Sequence, residues 1–146
     1  MTFIVKQIST EDTIAVRHPV LRKGRPRKDC YFTGDNDPGT FHLGIFDKNQ
    51  LLGVATFLQN NYTGLPGKHL QLRGMAVLEN YQGKGLGTLI LKNAEVMAQN
   101  KNIHTIWCNA RIIAVPFYQK LGFQKIGKPF EITPIGIHYV MYKSLI

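Results

Sequence analysis

Three glycines at alternate positions, Gly83, Gly85 and Gly87, lie in the run Gln82-Gly83-Lys84-Gly85-Leu86-Gly87-Thr88, and their spacing carries chemistry. Leu70, Leu72, Met75, Val77 and Leu78 precede it with few turn formers and read as a mostly buried strand; Leu86, Leu89, Ile90, Ala94 and Met97 follow at helical spacing. A strand therefore feeds a glycine-rich turn that opens a helix. The glycines let the backbone approach a ligand with no Cβ in the way. The first helical N–H groups have no intrahelical partner and carry the positive end of the dipole. Such a turn is an anion site, most naturally for phosphate or pyrophosphate. A dinucleotide fingerprint would need G-x-G-x-x-G and a Walker loop would end in Gly-Lys-Ser/Thr, and neither pattern is present. The competing reading is a plain strand-to-helix turn whose glycines serve chain geometry alone.

Gln82 to Gly87, placed directly after the strand Leu72-Arg73-Gly74-Met75-Ala76-Val77, resembles the Q/R-x-x-G-x-G/A pyrophosphate loop of the GNAT superfamily of acyl-coenzyme A dependent N-acetyltransferases. A second stretch is similar too: Asn109 is followed nine residues later by Tyr118 in Phe117-Tyr118-Gln119-Lys120-Leu121-Gly122-Phe123, close to the family's N…x-x-F-Y-x-x-x-G-F run. Glu79 departs from the family, which often carries Pro there. The resemblance covers about Phe41 to Tyr142 and implies acetyl-coenzyme A as cosubstrate, with an amine as acceptor. It implies that Gln82, Gly83, Lys84, Gly85, Leu86, Gly87 and Thr88 cradle the pyrophosphate and that backbone N–H groups near Met75, Ala76 and Val77 face the developing oxyanion. It also implies that Asn109, Phe117 and Tyr118 lie along the donor's pantetheine and thioester.

Acetyl transfer from a thioester to an amine needs a cradle for the donor, hydrogen-bond donors for the oxyanion, and management of two protons. The resemblance makes Tyr118 the general acid, and an ordinary phenol pKa of about 10 suits it, since it stays protonated at neutral pH and can give that proton to the departing thiolate. For the general base the candidates are His42, Glu79, Glu131 and His138, or a water chain, with His138 the residue carried forward. Direct attack in a ternary complex is preferred to an acyl-cysteine route, because Cys108 falls inside a buried-looking strand and Cys30 has no activating base nearby in sequence. The alternative reading is a non-catalytic coenzyme A-binding or regulatory module of the same fold.

With 146 residues and 44% hydrophobic content, the chain is sized for a single domain over residues 1–146. The first twenty residues include Lys6, Glu11, Asp12 and Arg17 and no long apolar run, and no stretch reaches the length of a membrane span. A cytoplasmic protein with no membrane partner is the expectation. Two cysteines without C-x-x-C spacing and five histidines without H-E-x-x-H argue against a disulfide framework and against any metal. The charge, 18 − 9 = +9, admits acidic ligands or nucleic acid. Nucleic acid is disfavoured, because no basic stripe is interleaved with aromatics on a recognition element. A strongly basic entrance would repel polycations and favours acceptors with an acidic part. A homodimer is expected only as the superfamily's frequent habit.

The elements that must position these groups can be taken in order. Phe3 to Ile8 reads as a strand, and Ser9 with Asp12 as an N-cap opening a short helix through Ile14 and Val16 that Pro19 limits or kinks. Arg17 to Lys28 holds six basic residues and no acid, and reads as a basic loop or as a lip over anionic ligands. Cys30 to Gly39 is dense in turn formers and reads as a surface loop. Phe41 to Phe46 and Leu51 to Gln59 form an antiparallel hairpin. After the central helix come a strand from Ile103 to Cys108, a short helix from Val115 to Leu121 stopped by Gly122, and two strands, Phe123 to Ile126 and Ile137 to Tyr142. This order predicts an α/β (α+β mixed) sheet with helices on both faces. The resemblance adds a mostly antiparallel sheet with a central splay.

Overall fold

The computed structural model describes residues 2–146. Its strands are β1 (Phe3–Ile8), β2 (Phe41–Asp47), β3 (Gln50–Gln59), β4 (His69–Val77), β5 (Thr105–Arg111), β6 (Gln124–Ile132) and β7 (Gly136–Ser144), joined in one sheet of order β1-β2-β3-β4-β5-β7-β6. Every neighbouring pair is antiparallel except β4 with β5. The helices are α1 (Thr10–Leu21), α2 (Leu86–Asn100) and α3 (Val115–Lys120). Among the described residues no helix is long and apolar enough to cross a membrane.

Side-chain alternation divides the sheet into two faces. Leu43, Phe57, Leu70, Leu72, Ile106, Cys108 and Met141 pack with Leu86, Ile90 and Leu91 of α2 and with Val115 and Tyr118 of α3 in the main core. Val54 and Ala76 face the other way and pack on Val16 of α1. Helices thus cover both faces, as the order of elements predicts.

Two irregularities open the middle of this sheet. The parallel pairing of β4 with β5 runs only from His69 opposite Thr105 to Leu72 opposite Cys108, and beyond it the strands part. On its other edge β4 carries a bulge: Val54 pairs with Ala76 and Thr56 with Arg73, so Gly74 and Met75 stand against the single residue Ala55. Gly74 has φ +64°, a left-handed conformation that a bulge commonly assigns to glycine. The extra residue reverses the alternation, so Met75 and Val77 turn to the main core and Ala76 to the α1 face.

Three local expectations need correction. Ser9 does cap α1, accepting from Asp12 N while Asp12 Oδ2 accepts from Ser9 N, but the helix runs through Pro19 to Leu21. Pro19 lies in the last turn, where a proline forfeits one hydrogen bond near an end that is frayed anyway. Arg17 therefore sits within α1 and is fully buried, not part of a basic loop. The penultimate strand, expected to end at Ile126, continues to Ile132 across a register shift between Ile126 and Phe130. Pro129 is tolerated there because β6 is the sheet edge and its missing N–H faces no neighbour.

Candidate functional site

A cleft of about 1140 Å³ runs through the splay, lined from the glycine turn through Met75, Ala76 and Val77 to Tyr118 and His138. At its glycine-turn end, Gly85 is the N-cap of α2 with φ +78°, and Gly83 shares that left-handed φ of +78°. A Cβ built on either would meet no protein atom within 4 Å, so the space beside them is open to a ligand. Leu89 N is the first helical N–H bonded to Gly85 O, at 3.2 Å, which leaves the N–H groups of Leu86, Gly87 and Thr88 for that ligand. Gly87 serves packing as well: a Cβ there would come within 3.0 Å of Phe117 Cζ on α3. These features fit a pyrophosphate.

Two residues of the turn make contacts within the protein. Gln82 Nε2 donates to Val77 O at 2.9 Å and Gln82 N to Glu79 O at 3.3 Å, so this residue ties the turn to the end of β4 while lining the cleft. Lys84 does not line the cleft, and its Nζ lies 5.6 Å from the Tyr81 ring centroid.

Tyr118 is 7% exposed and sits between Phe117 and Phe123, with ring centroids 5.1 and 5.3 Å away. Its hydroxyl has no hydrogen-bond partner among the described residues. Burial, with a smaller contribution from Cys108, pushes its pKa well above the ordinary phenol value. Cys108 also lines the cleft, and burial pushes its thiol up to about 12, which makes it a poor nucleophile.

The candidate bases separate clearly. His138 is 4% exposed, lines the cleft, and its Nδ1 lies 2.8 Å from Gly136 O. A carbonyl can only accept, so Nδ1 carries a proton, and in the neutral ring the lone pair then falls on Nε2, the tautomer a base requires. His42 is instead engaged at both nitrogens, Nδ1 by Thr56 Oγ1 at 2.7 Å and Nε2 by Asp35 O at 3.0 Å, and does not line the cleft. It is a structural residue. Glu79 and Glu131 are exposed and lie outside the cleft lining.

The α1 face of the cleft is cationic. Arg22, Arg25, Lys28, Arg73 and Arg111 line it with Asp29 as the single acid, and Asp29 is engaged by Arg25 at 3.1 Å. Arg111 stands directly opposite His138 in the β5–β7 ladder, so both point to one face and are neighbours. Arg22 has its pKa lowered, first by burial and then by Arg25 and Arg111, whose like charges crowd it. Arg73 and Arg111 were missed in the sequence, although a charge interrupting an otherwise apolar strand is a readable signal in both. Asn109 and Phe117 line the cleft as expected.

Beneath this face lies a buried ion pair. Arg17 Nη1 and Nη2 donate to Asp35 Oδ2 and Oδ1 at 2.7 and 2.9 Å, and further to Cys30 O at 2.9 Å and Thr56 Oγ1 at 2.8 Å. Burial alone would raise the Asp35 pKa, but the Arg17 hydrogen bonds, the Phe32 N–H and the Arg17 charge together hold it below its ordinary value. Among the described residues no cluster of three or more metal-ligating side chains occurs.

The family model described as "Acetyltransferase (GNAT) family" matches residues 6–123. A Bacillus subtilis (strain 168) protein named "Uncharacterized N-acetyltransferase YitI" is 39% identical over 142 residues, covering 97% of this chain and 95% of that protein. A solved structure from Lactobacillus plantarum superposes with a TM-score of 0.82 over all of both chains at 15% identity. An aminoglycoside 6'-N-acetyltransferase complexed with coenzyme A superposes with a TM-score of 0.78 over 98% of this chain and 97% of that one, at 13% identity.

Proposed function

The chain belongs to the acetyltransferase (GNAT) family, and on that premise we propose that it moves the acetyl group of acetyl-coenzyme A onto a primary amine that also carries an anionic group, by direct attack within the cleft. The observation that carries this reading is the two-sided cleft: Tyr118 enters from the main-core face, and His138 lies beside Arg111 on the other.

When bound, acetyl-coenzyme A supplies an activated acyl carbon. The N–H groups of Leu86, Gly87 and Thr88 hold its pyrophosphate, and the open space at Gly83 and Gly85 admits it. The edge of β4 from Arg73 to Val77, released from β5, offers backbone N–H groups to the thioester oxygen. Arg22 and Arg111 pair with the acceptor's anion and so fix its amine near His138. His138 Nε2 takes a proton from the ammonium, the freed amine forms the C–N bond, and Tyr118 Oη gives its proton to the sulfur as the C–S bond breaks.

The test is thiol release from acetyl-coenzyme A across paired amines, such as an amino acid and its amide or an amino-sugar phosphate and the free amino sugar. The anionic member of each pair should have the higher kcat/KM, by about tenfold or more for one charge-assisted contact. A preference for polyamines would sink the acceptor assignment, and acetyl-coenzyme A binding without turnover of any amine would favour the non-catalytic module.

A further inference from the structure

Two guanidinium groups lie over the ring of Phe32, Arg17 at 4.1 Å and Arg22 at 4.9 Å from its centroid. Their circumstances differ. Arg17 is fully buried and locked by its bonds to Asp35, Cys30 and Thr56, whereas Arg22 is half-buried, lines the cleft, and spends Nη1 on the carbonyl of Leu21 at 2.9 Å. Phe32 is itself held at both ends: its N–H donates to Asp35 Oδ2 at 2.7 Å and its ring packs under Arg17. The next residue continues the pattern, because Arg73 Nη1 donates to Thr33 O at 2.6 Å. One short stretch, anchored by the buried Arg17–Asp35 pair, therefore touches two of the cleft arginines.

We propose that Phe32 is a specificity-determining positioning residue, which holds the Arg22 guanidinium where it meets the acceptor's anion. This rests on the anionic-amine reading above. Arg22 shares the cleft wall with Arg25 and Arg111. Like charges in a shared wall repel, and a flexible arginine relieves the repulsion by swinging into solvent. The π face of Phe32 offers a cation an attraction that keeps it inside, and it does so without neutralising the charge, as a carboxylate partner would. The cation thus stays both in place and unpaired for substrate.

Phe32→Leu keeps apolar bulk and removes the π face. With chemistry rate-limiting, KM for an anionic amine should rise about three- to thirtyfold, the span of a cation–π contact. The kcat, the KM for acetyl-coenzyme A and the KM for the matching neutral amide should stay within about twofold, and Phe32→Tyr should restore the wild-type KM. In an Arg22→Gln background, Phe32→Leu should add nothing further, since the two changes remove one interaction. An unchanged KM for the anionic amine, an equal rise for the neutral one, or additive effects in the double variant would each overturn the proposal. If the leucine variant does not fold, Phe32→Met makes the same comparison. A wild-type enzyme indifferent to the anion overturns the acceptor reading first and this proposal with it, and that failure shows before any variant is made.

Discussion

Replacing Tyr118 by Phe separates an enzyme from a binding module. The ring is 7% exposed and packs on Phe117 and Phe123, all of which Phe preserves. The hydroxyl bonds no protein group among the described residues, so its removal orphans nothing, and stability should move by no more than about 0.5 kcal/mol. Turnover should respond very differently. Without a proton for the leaving thiolate, a general acid's contribution of about 10²- to 10⁴-fold is lost, or about 2.7 to 5.4 kcal/mol of barrier. Because the interaction forms chiefly in the transition state, kcat and kcat/KM should fall together while KM holds. Burial raises the Tyr118 pKa, so the hydroxyl keeps its proton throughout the assay range and both pH profiles should share one shape. Thiol release measured at saturating acetyl-coenzyme A, with the melting temperature as control, reads all of this. If the Phe variant turns over within about threefold of wild type while chemistry is rate-limiting, Tyr118 is packing and the acid lies elsewhere.

Four further outcomes follow from the same geometry. Coenzyme A at a hundred times its Kd should stabilise the protein by about 2.7 kcal/mol, and Gly85→Asp, which sets a charged side chain in the ligand's space, should abolish that melting shift while the apo protein still folds. His138→Gln should cut kcat/KM by about 10²-fold or more, with a deficit that narrows as pH approaches the acceptor amine's own pKa; a deficit constant with pH would remove the base role. Asp35→Asn should cost about 3 to 5 kcal/mol in urea unfolding, because it leaves Arg17 buried and unpaired. The pH dependence of the wild type follows with the sign worked out. Asp35 is held below its ordinary carboxylate value, so its stabilisation is full above about pH 4 and fades as pH falls further. His42 is lowered first by burial, so below about pH 6.5 the unfolded chain takes up its proton before the native one does, and stability falls there too. A urea midpoint that stays flat from pH 7 down to pH 3 would contradict both.

The glycine-turn end of the cleft was legible because its information is local. Six consecutive residues after a strand specify the glycine turn, Ser9 and Asp12 specify a cap three residues apart, and Gly74 marks the bulge at which β4 reverses its facing. Helix and strand limits failed most where tertiary position decides, at Pro19 in a last turn and at Pro129 on a sheet edge, and by one to three residues at the ends of β5 and β7. The arginine-lined part of the cleft is assembled across the chain. Arg17 had a sufficient local explanation as one cation in a basic run, and Asp35 as one turn former among several. Nothing within a few residues of either says that the two meet, 18 residues apart, in the interior. His42 misled for the same reason: its three hydrogen-bond partners, Thr56, Thr10 and the Asp35 carbonyl, come from separate parts of the chain.

The division of the cleft between faces also explains where the charge sits. The glycine turn can draw an anion without an added cation, since its unpaired N–H groups and the helix dipole already do so. The arginines stand on the α1 face of the cleft, the side that the proposed function gives to the acceptor. There Arg25 has Asp29, while Arg22 and Arg111 have no carboxylate partner among the described residues. An enzyme for polyamines would gain from acids in this position; one that must hold an anion beside a base gains from cations kept unpaired by a neutral ring. On the proposed reading, part of the +9 charge of the chain answers to the acceptor, through residues at the end of α1 and in β4 and β5 that only the folded sheet brings together.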